Sequence, residues 1–312
     1  MKKEALKNYD LMENFTLNNI PDLDTCVLGS LELFMQAKIP SINAKFKRPL
    51  VIGSGNAEAT GKIIFKDSDA VFANENNYKQ KLKQIKNIDG VIVISASGGK
   101  HAPLIVKEVK SKKKKILFLT NNSNSQAAKL LSQKEILTFP KQREPYTYNT
   151  STYMSMILSK TKESPSSIYN FINSKIKKIN FNSLKKYYTF YIILPPEFEL
   201  MRDMLDKKFV EMFGRRIPYS IYSTEYIKHA TTIVPSPKEL FISIGYNNKI
   251  WGKNRLNIPL PPKADYAMFM AVSYYIMGQI QKSRHQWFKS YLLGYTKKIS
   301  KIFKHEIKPI VE

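Results

Sequence analysis

Five short apolar runs, separated by helix-like segments, constrain this chain more than any other feature. In "PLVIGSGNAEATGKIIF" a strand pattern runs through a glycine turn into a helix; "DAVFAN", "GVIVISASGGK", "KILFLTNN" and "EILTFP" supply four further strand patterns. Between them lie helical patterns from Tyr78 to Lys86, in "APLIVKEVKSK" and in "SQAAKLLS", and residues 147–160 read as a closing helix. The strands are nearly continuous in apolar residues, with no polar alternation, as expected where both faces of a strand are buried. Alternation of such strands with helices predicts a parallel sheet covered on both faces, an α/β fold.

The flanking sequence extends this plan. Residues 3–16 carry apolar positions at helical spacing, Pro21 breaks the pattern, and Thr25 to Ala37 is apolar-rich before Pro40, so residues 1–48 read as a helical lead-in. Residues 49–160 form a first domain, and the polar, lysine-rich stretch 161–186, with Ser-Pro-Ser-Ser near its start, is a linker helix. Residues 187–312 then repeat the alternation more weakly. "YYTFYIILPP" is a strand, Glu197 to Phe213 a helix, "RIPYSIYS", "ELFISIGYN" and "RLNIPLPP" strands, and two long helices at about 264–281 and 284–305 close the chain. "YAMFMAVSYYIMGQI" is apolar nearly all round and reads as a buried core or dimer helix. Two α/β halves in similar order suggest a coarse duplication.

At 312 residues and 43% hydrophobic content the chain can bury a large core. It has no run of eighteen apolar residues, and its basic N-terminus is followed by no apolar segment, so a cytoplasmic protein without a membrane partner is expected. Cys26 is the single cysteine, and His101, His229, His285 and His305 are scattered, so neither a metal nor another cofactor is expected. The net charge of +25 suits nucleic acid, an acidic surface or an anionic small molecule. Its 43 lysines against 7 arginines are spread along the chain. A nucleic-acid reader more often shows arginines among exposed aromatics, so nucleic acid is not the expected partner.

Ligands of open parallel sheets sit at the carboxyl ends of strands, where helix N-termini offer unpaired N–H groups to an anion. Three loops qualify: "GSGNA" after the first strand, "SASGGK" after the third and "TNNSNS" after the fourth. Gly53 and Gly55 let backbone approach closely, Ser54, Ser95 and Ser97 can donate hydroxyl hydrogen bonds, and Lys100 adds a charge beside Gly98. A dinucleotide site is the rival reading, with Glu75 placed where a ribose-binding acid would stand. It lacks the third glycine, because Glu58 would set a carboxylate against the pyrophosphate.

In order and spacing, "GSGNA", "VIVISASGGK", "LTNNSNSQAAKL" and "REPYTYNTSTYMSMI" resemble the sugar isomerase (SIS) domain superfamily over roughly 50–160. The tandem layout is similar to double-domain members such as the isomerase part of glucosamine-6-phosphate synthase and the bifunctional phosphoglucose/phosphomannose isomerases. The resemblance implies two SIS-type domains, each a three-layer α-β-α sandwich, one sugar-phosphate ligand per domain pair, and a homodimer sharing its site between subunits. It implies Ser95 and Ser97 as phosphate donors with Ser54, Gly98 and Lys100. Gly53, Gly55, Asn56, Thr120, Glu144, Thr147, Asn149 and Thr150 would line the pocket. Lys100 stands where the family usually has Thr.

Aldose–ketose isomerisation through an enediol needs a carboxylate base and an acid/base group at the ring oxygen. Glu211 ends the helix "EFELMRDMLDKKFVEMF", and His229 follows eighteen residues later in "STEYIKHATTIVPS". "EYIKHA" resembles the Glu-x-Lys-His-Gly segment of the related synthases, one residue longer and with Ala230 in place of Gly. By that resemblance Glu211 is the base and His229 the ring-opening group, delivered from a neighbouring subunit. Glu225 competes for the base role, but four residues before His229 on a helical turn it would orient that residue instead, and the C-terminal lysine of the related enzymes makes Lys308 a further candidate. "IILPPEFE" replaces a glycine loop in the second half, so no phosphate is expected there. The departures at Lys100 and in "EYIKHA" leave isomerase, deglycase or deaminase, and non-catalytic sugar-phosphate sensor open.

Overall fold

The apolar runs of the first half do form a sheet, and its strands are parallel throughout. The computed structural model describes residues 6–312 and divides into two compact units. One holds residues 37–141 and 152–162; the other holds the chain up to Gln36, 142–151 and 163–312.

In the first of these, β1 (Pro49–Gly53), β2 (Val71–Ala73), β3 (Gly90–Ile94), β4 (Ile116–Thr120) and β5 (Ile136–Thr138) lie in the order β2-β1-β3-β4-β5. β1 and β3 are buried at every position, which accounts for their unbroken apolar sequence. Leu50, Ile52, Val91 and Val93 share a core with Ile105, Val106 and Val109 of helix α5 (His101–Ser111) and with Tyr78 of α4 (Tyr78–Gln84). The alternate residues meet α3 (Asn56–Ile64): a Cβ built on its Gly61 would lie 2.8 Å from Val51 and 3.2 Å from Ile94. Helices therefore cover both faces of this sheet. The register Pro49↔Gly90 to Gly53↔Ile94 levels the ends of β1 and β3.

The other unit carries β7 (Thr189–Leu194), β8 (Tyr219–Ser223), β9 (Glu239–Ile244) and β10 (Arg255–Ile258), parallel and in the order β10-β9-β7-β8. The helix expected from Glu197 to Phe213 is a 3₁₀ turn, Pro196–Met201, followed by α8 (Arg202–Phe213). The helical patterns near the start are α1 (Lys7–Asn14) and α2 (Leu23–Gln36); residues 3–5 of the expected first helix lie outside the described residues. Ser164 caps α7 (Pro165–Ser174) by accepting from the Ser167 amide, and Pro165 fits the first helical position, where its missing N–H costs nothing. The closing helices are α9 (Tyr266–Lys282) and α10 (Trp287–Phe303). α9 is buried nearly all round within the chain, so "YAMFMAVSYYIMGQI" is a core helix. Its first turn is held by the buried-side carboxylate of Glu163, which accepts from the amides of Asp265 and Ala267 at 2.8 and 2.9 Å.

One element was not foreseen. β6 (Glu144–Pro145) pairs antiparallel with β11 (Ile310–Val311), tying the C-terminal tail to the segment that contains Glu144. Two residues a side give no readable period.

Candidate functional site

In the five-stranded unit the ends of β1, β3 and β4 are neighbours, and each opens into one of the expected loops. Gly53 closes β1; a Cβ there would lie 2.6 Å from Ala57 backbone carbon, so a side chain would block the return of α3 over the strand end. Gly55 has φ +59°, a conformation that favours glycine. The Ser54 carbonyl accepts from Ala57 N–H at 3.1 Å. Asn56 opens α3, is 7% exposed, and has its Oδ1 buried without a hydrogen-bond partner among the described residues. Glu58 stands in the same turn, held by Lys62 at 3.3 Å and by the Asn74 amide at 3.2 Å. A carboxylate fixed there opposes the approach of a pyrophosphate.

The loop after β3 is buttressed by the loop after β4. The Ala96 carbonyl accepts from Thr120 Oγ1 at 3.0 Å and from the Asn121 amide at 3.1 Å, and the Gly98 carbonyl accepts from Ala127 N–H at 3.1 Å. Thr120 is fully buried with its hydroxyl committed to Ala96, so it supports the serine loop from beneath. Gly98, at φ +61°, packs over Ser125. Lys100 precedes α5 with φ 49° and ψ −109°, a strained backbone for any residue with a Cβ. Its side chain is exposed as a whole, yet partial desolvation of the amine lowers its pKa from the ordinary lysine value. Ser97 is exposed and accepts weakly from Gly99 N–H at 3.4 Å. The hydroxyls of Ser54 and Ser95 make no hydrogen bond among the described residues. Ala57, Ala59 and Ala102 already donate their amides to the Ser54, Gly55 and Gly99 carbonyls, and Pro103 has no N–H, so it is these two hydroxyls, with the remaining first-turn amides of α3 and α5, that can receive an anion.

The remaining candidates belong to the other unit. Glu144, 4% exposed, accepts from Thr150 N–H at 2.7 Å through Oε2 and from Ser151 N–H at 2.6 Å through Oε1. It thereby caps α6 (Thr150–Thr161), its charge set against the positive end of the helix dipole. Thr150 is fully buried, its hydroxyl within 3.4 Å of the Tyr148 carbonyl. Thr147 and Asn149 both take left-handed backbone, φ +74° and +47°. Between them Tyr148 is buried and donates its phenol to Pro21 O at 3.0 Å.

This turn presents two carbonyls to a residue the sequence reading missed. Lys208 is fully buried, and its Nζ donates to Thr147 O, to Tyr148 O at 2.7 Å and to Glu211 Oε2 at 2.7 Å. The signal was available: Met204, Leu205, Phe209 and Met212 mark the buried face of α8, and Lys208 falls on it at helical spacing. It was lost among the many lysines. Glu211 Oε1 makes no hydrogen bond among the described residues. Burial pushes the Tyr146 phenol above its ordinary pKa, and charge on the Tyr295 phenol and on Glu211 acts in the same direction. Tyr146 N–H donates to Pro309 O at 2.8 Å, the bond that extends the β6–β11 ribbon and leaves exposed Lys308 next to it in sequence.

His229 is exposed, at the end of the 3₁₀ turn Tyr226–Lys228, with its amide 3.0 Å from Tyr226 O. No hydrogen bond joins it to Glu211 among the described residues. Glu225 is not its orienting partner: both carboxylate oxygens of Glu225 lie 2.8 Å from Lys228 Nζ. The Lys228 amine reaches back one turn to take that carboxylate, while the histidine ring has the ring of Tyr226 as a neighbour, 6.0 Å between centroids. Ala230, standing where the resemblance has Gly, adopts the glycine-favouring φ of +59°. At the end of β7, Pro195 and Pro196 have no N–H to offer an anion.

Parallel strands that end in hydroxyl-rich loops at helix N-termini define an α/β protein with hydrogen-bond donors gathered at its strand ends. No protein-family model matches the sequence, and none of the curated proteins does. Among solved structures, the chain is similar to tagatose-6-phosphate ketose/aldose isomerase from Escherichia coli, with TM-score 0.61 and 9% identity over 85% of this chain and 95% of that one. It is similar to glucosamine-6-phosphate deaminase from Thermotoga maritima, with TM-score 0.57 and 16% identity over 89% and 93%. It is also similar to the C-terminal domain of glucosamine-fructose-6-phosphate aminotransferase from Francisella tularensis, with TM-score 0.53 and 12% identity over 93% and 97%. The chain shares its fold with these three proteins.

Proposed function

We propose that this protein binds a hexose or amino-hexose 6-phosphate and interconverts its aldose and ketose forms through an enediol. The observation that carries the reading is the pair of unbonded hydroxyls, Ser54 and Ser95, at the ends of adjacent strands beside the N-termini of α3 and α5. A phosphate group accepts hydrogen bonds from such donors without needing a metal. Similarity of fold to a tagatose-6-phosphate isomerase and a glucosamine-6-phosphate deaminase supports the substrate class.

The roles follow the chemistry. Ser54, Ser95, Ser97, the Gly98 backbone and Lys100 hold the phosphate. Glu211, its Oε2 occupied by Lys208 and its Oε1 unbonded, takes the proton from C2 of the aldose and returns one to C1. His229 exchanges the proton of the ring oxygen when the sugar opens. The reaction is redox-neutral, so these residues suffice without a cofactor. Residues 49–160 act as the phosphate-binding domain and 187–312 as the domain of the acid/base groups, in a cytoplasmic homodimer.

A second reading, a deglycase, deaminase or silent sensor, is favoured by the exposure of His229 and its lack of a bond to Glu211. Incubation in deuterium oxide separates the two. The isomerase introduces deuterium at C1 or C2 of the hexose 6-phosphate, and Glu211→Gln abolishes this while ligand binding persists. Unchanged exchange in that variant removes Glu211 from the base role; binding without exchange in the wild type leaves the sensor.

A further inference from the structure

His229 sits midway between two anchors. Two residues before it, Ile227 is fully buried in a cluster with Tyr191, Ile193 and Phe241. Two residues after it, Thr231 Oγ1 lies 2.5 Å from the phenolic oxygen of Tyr191. Thr231 Oγ1 also lies 3.2 Å from the Ile227 carbonyl. A carbonyl only accepts, so the Thr231 proton goes to Ile227 O and the Tyr191 phenol is the donor to Thr231. One side chain of β7 thus closes a relay, Tyr191 to Thr231 to Ile227, around the turn that carries the imidazole.

Tyr191 is itself held firmly. It stacks on Phe241 with ring centroids 4.7 Å apart and an interplanar angle of 12°. Its other neighbour, Tyr222, is 5.6 Å away and stacks on Tyr226, the first residue of the turn, at 4.7 Å and 15°. Burial pushes the Tyr191 phenol up to about 12, so it keeps the proton that it donates. Around these anchors the chain is open: His229 and Ala230 are exposed, and Ile233 and Val234 beyond them are 75% and 87% exposed. A segment so free of its own packing needs a fixed point, and the hydroxyl relay is the fixed point on the C-terminal side of His229.

We infer that Tyr191 is a positioning residue for His229: through Thr231 it closes the 227–231 turn and sets where the imidazole stands. The inference rests on the reading of His229 as the ring-opening group, and it adds residues that neither the motif nor the resemblance contains. Misplacing a catalytic group by about 1 Å can lower turnover by up to about a hundredfold. Removal of one hydroxyl, with the aromatic stack left in place, loosens the turn without emptying the core.

Tyr191→Phe and Thr231→Val test it against Thr231→Ser, which keeps a hydroxyl. Two substrates are compared: fructose 6-phosphate, and 5-deoxyfructose 6-phosphate, which lacks the hydroxyl that closes the ring. Tyr191→Phe and Thr231→Val are expected to lower kcat on the first about tenfold with KM within about twofold, and to leave the second unchanged; Thr231→Ser behaves as wild type. Deuterium uptake at the amides of 228–234 is expected to rise in the first two variants and not in the third. An equal loss on both sugars, no loss, or unchanged uptake overturns the inference. If the wild type isomerises no hexose 6-phosphate, the isomerase reading falls, and the uptake measurement alone still decides whether Tyr191 closes the turn.

Discussion

Lys208 and Glu211 stand one turn apart on α8 with Nζ and Oε2 separated by 2.7 Å, the lysine side chain wholly buried and the glutamate side chain 27% exposed. A buried ammonium is tolerated when its donors are all taken, and the Thr147 and Tyr148 carbonyls take the other two. The pairing leaves one carboxylate oxygen of Glu211 directed and the other available.

Removing the lysine and removing the charge of the glutamate should therefore differ in kind. Lys208→Met strands two carbonyls and one carboxylate oxygen, and is expected to cost about 2–4 kcal/mol in urea unfolding. Glu211→Gln keeps an acceptor oxygen for the ammonium and, on a partly exposed group, should cost about 1 kcal/mol. The reverse order would mean that the carboxylate, and not the carbonyl pair, holds the lysine in place.

The parallel sheet and its three loops were legible because each strand is a continuous apolar run that stops at glycines or hydroxyls, a signal contained within a few residues. Glu211 and His229 were legible only through a resemblance. Lys208 and the Tyr191–Thr231 relay were not seen, because their meaning depends on partners 61 and 40 residues away in the chain. Nothing local distinguishes Lys208 from its neighbour Lys207 except the phase of the helix. The same applies to Glu144: its cap on α6 is local, but its pairing with the C-terminal tail through β11 spans most of the chain.

Lys100 carries a charge where a hydroxyl is usual, on strained backbone. Lys100→Thr should weaken binding of glucose 6-phosphate roughly fivefold, the 1 kcal/mol or less typical of a solvent-exposed charge pair. Because desolvation lowers the Lys100 pKa, the affinity of the wild type should begin to fall below the ordinary lysine range near about 10.4, and the variant should lack that fall. Isothermal titration across the alkaline range reads both. Equal affinities and equal pH profiles would remove Lys100 from the phosphate site.

Asp24, 4% exposed on α2, accepts from Gln279 at 2.7 Å and from Lys282. Burial raises its carboxyl pKa, and Lys282 pulls it only part of the way back. The folded protein thus holds this proton more tightly than the unfolded chain does, so the associated stability is full below the unfolded value of about 3.9 and is lost as pH rises through the folded one. Asp24→Asn has no such loss. Urea midpoints of the two proteins should nearly coincide at the acid end and diverge toward neutral pH with the variant the more stable. A wild type that gains on the variant as pH rises would mean that the Lys282 pair outweighs desolvation.

Gly55 and Gly98 share a positive φ, +59° and +61°, but not their surroundings. A Cβ at Gly55 would meet nothing within 4 Å, whereas one at Gly98 would come within 2.1 Å of Ser125 Oγ and 2.5 Å of its Cβ. Both alanine variants bear the strain of a positive φ, on the order of 1–3 kcal/mol. Gly98→Ala should add about 1–3 kcal/mol of overpacking and displace Ser125, whose Oγ accepts from Ala128 N–H at 3.2 Å beneath the serine loop. Gly98→Ala is thus expected to lower the melting temperature more than Gly55→Ala and to abolish the thermal shift given by a hexose 6-phosphate. The double variant Gly98→Ala/Ser125→Gly, which makes room for the methyl group, should recover part of both. Equal melting temperatures for the two single variants would mean that the loop shifts freely, and that Ser125 does not set its position.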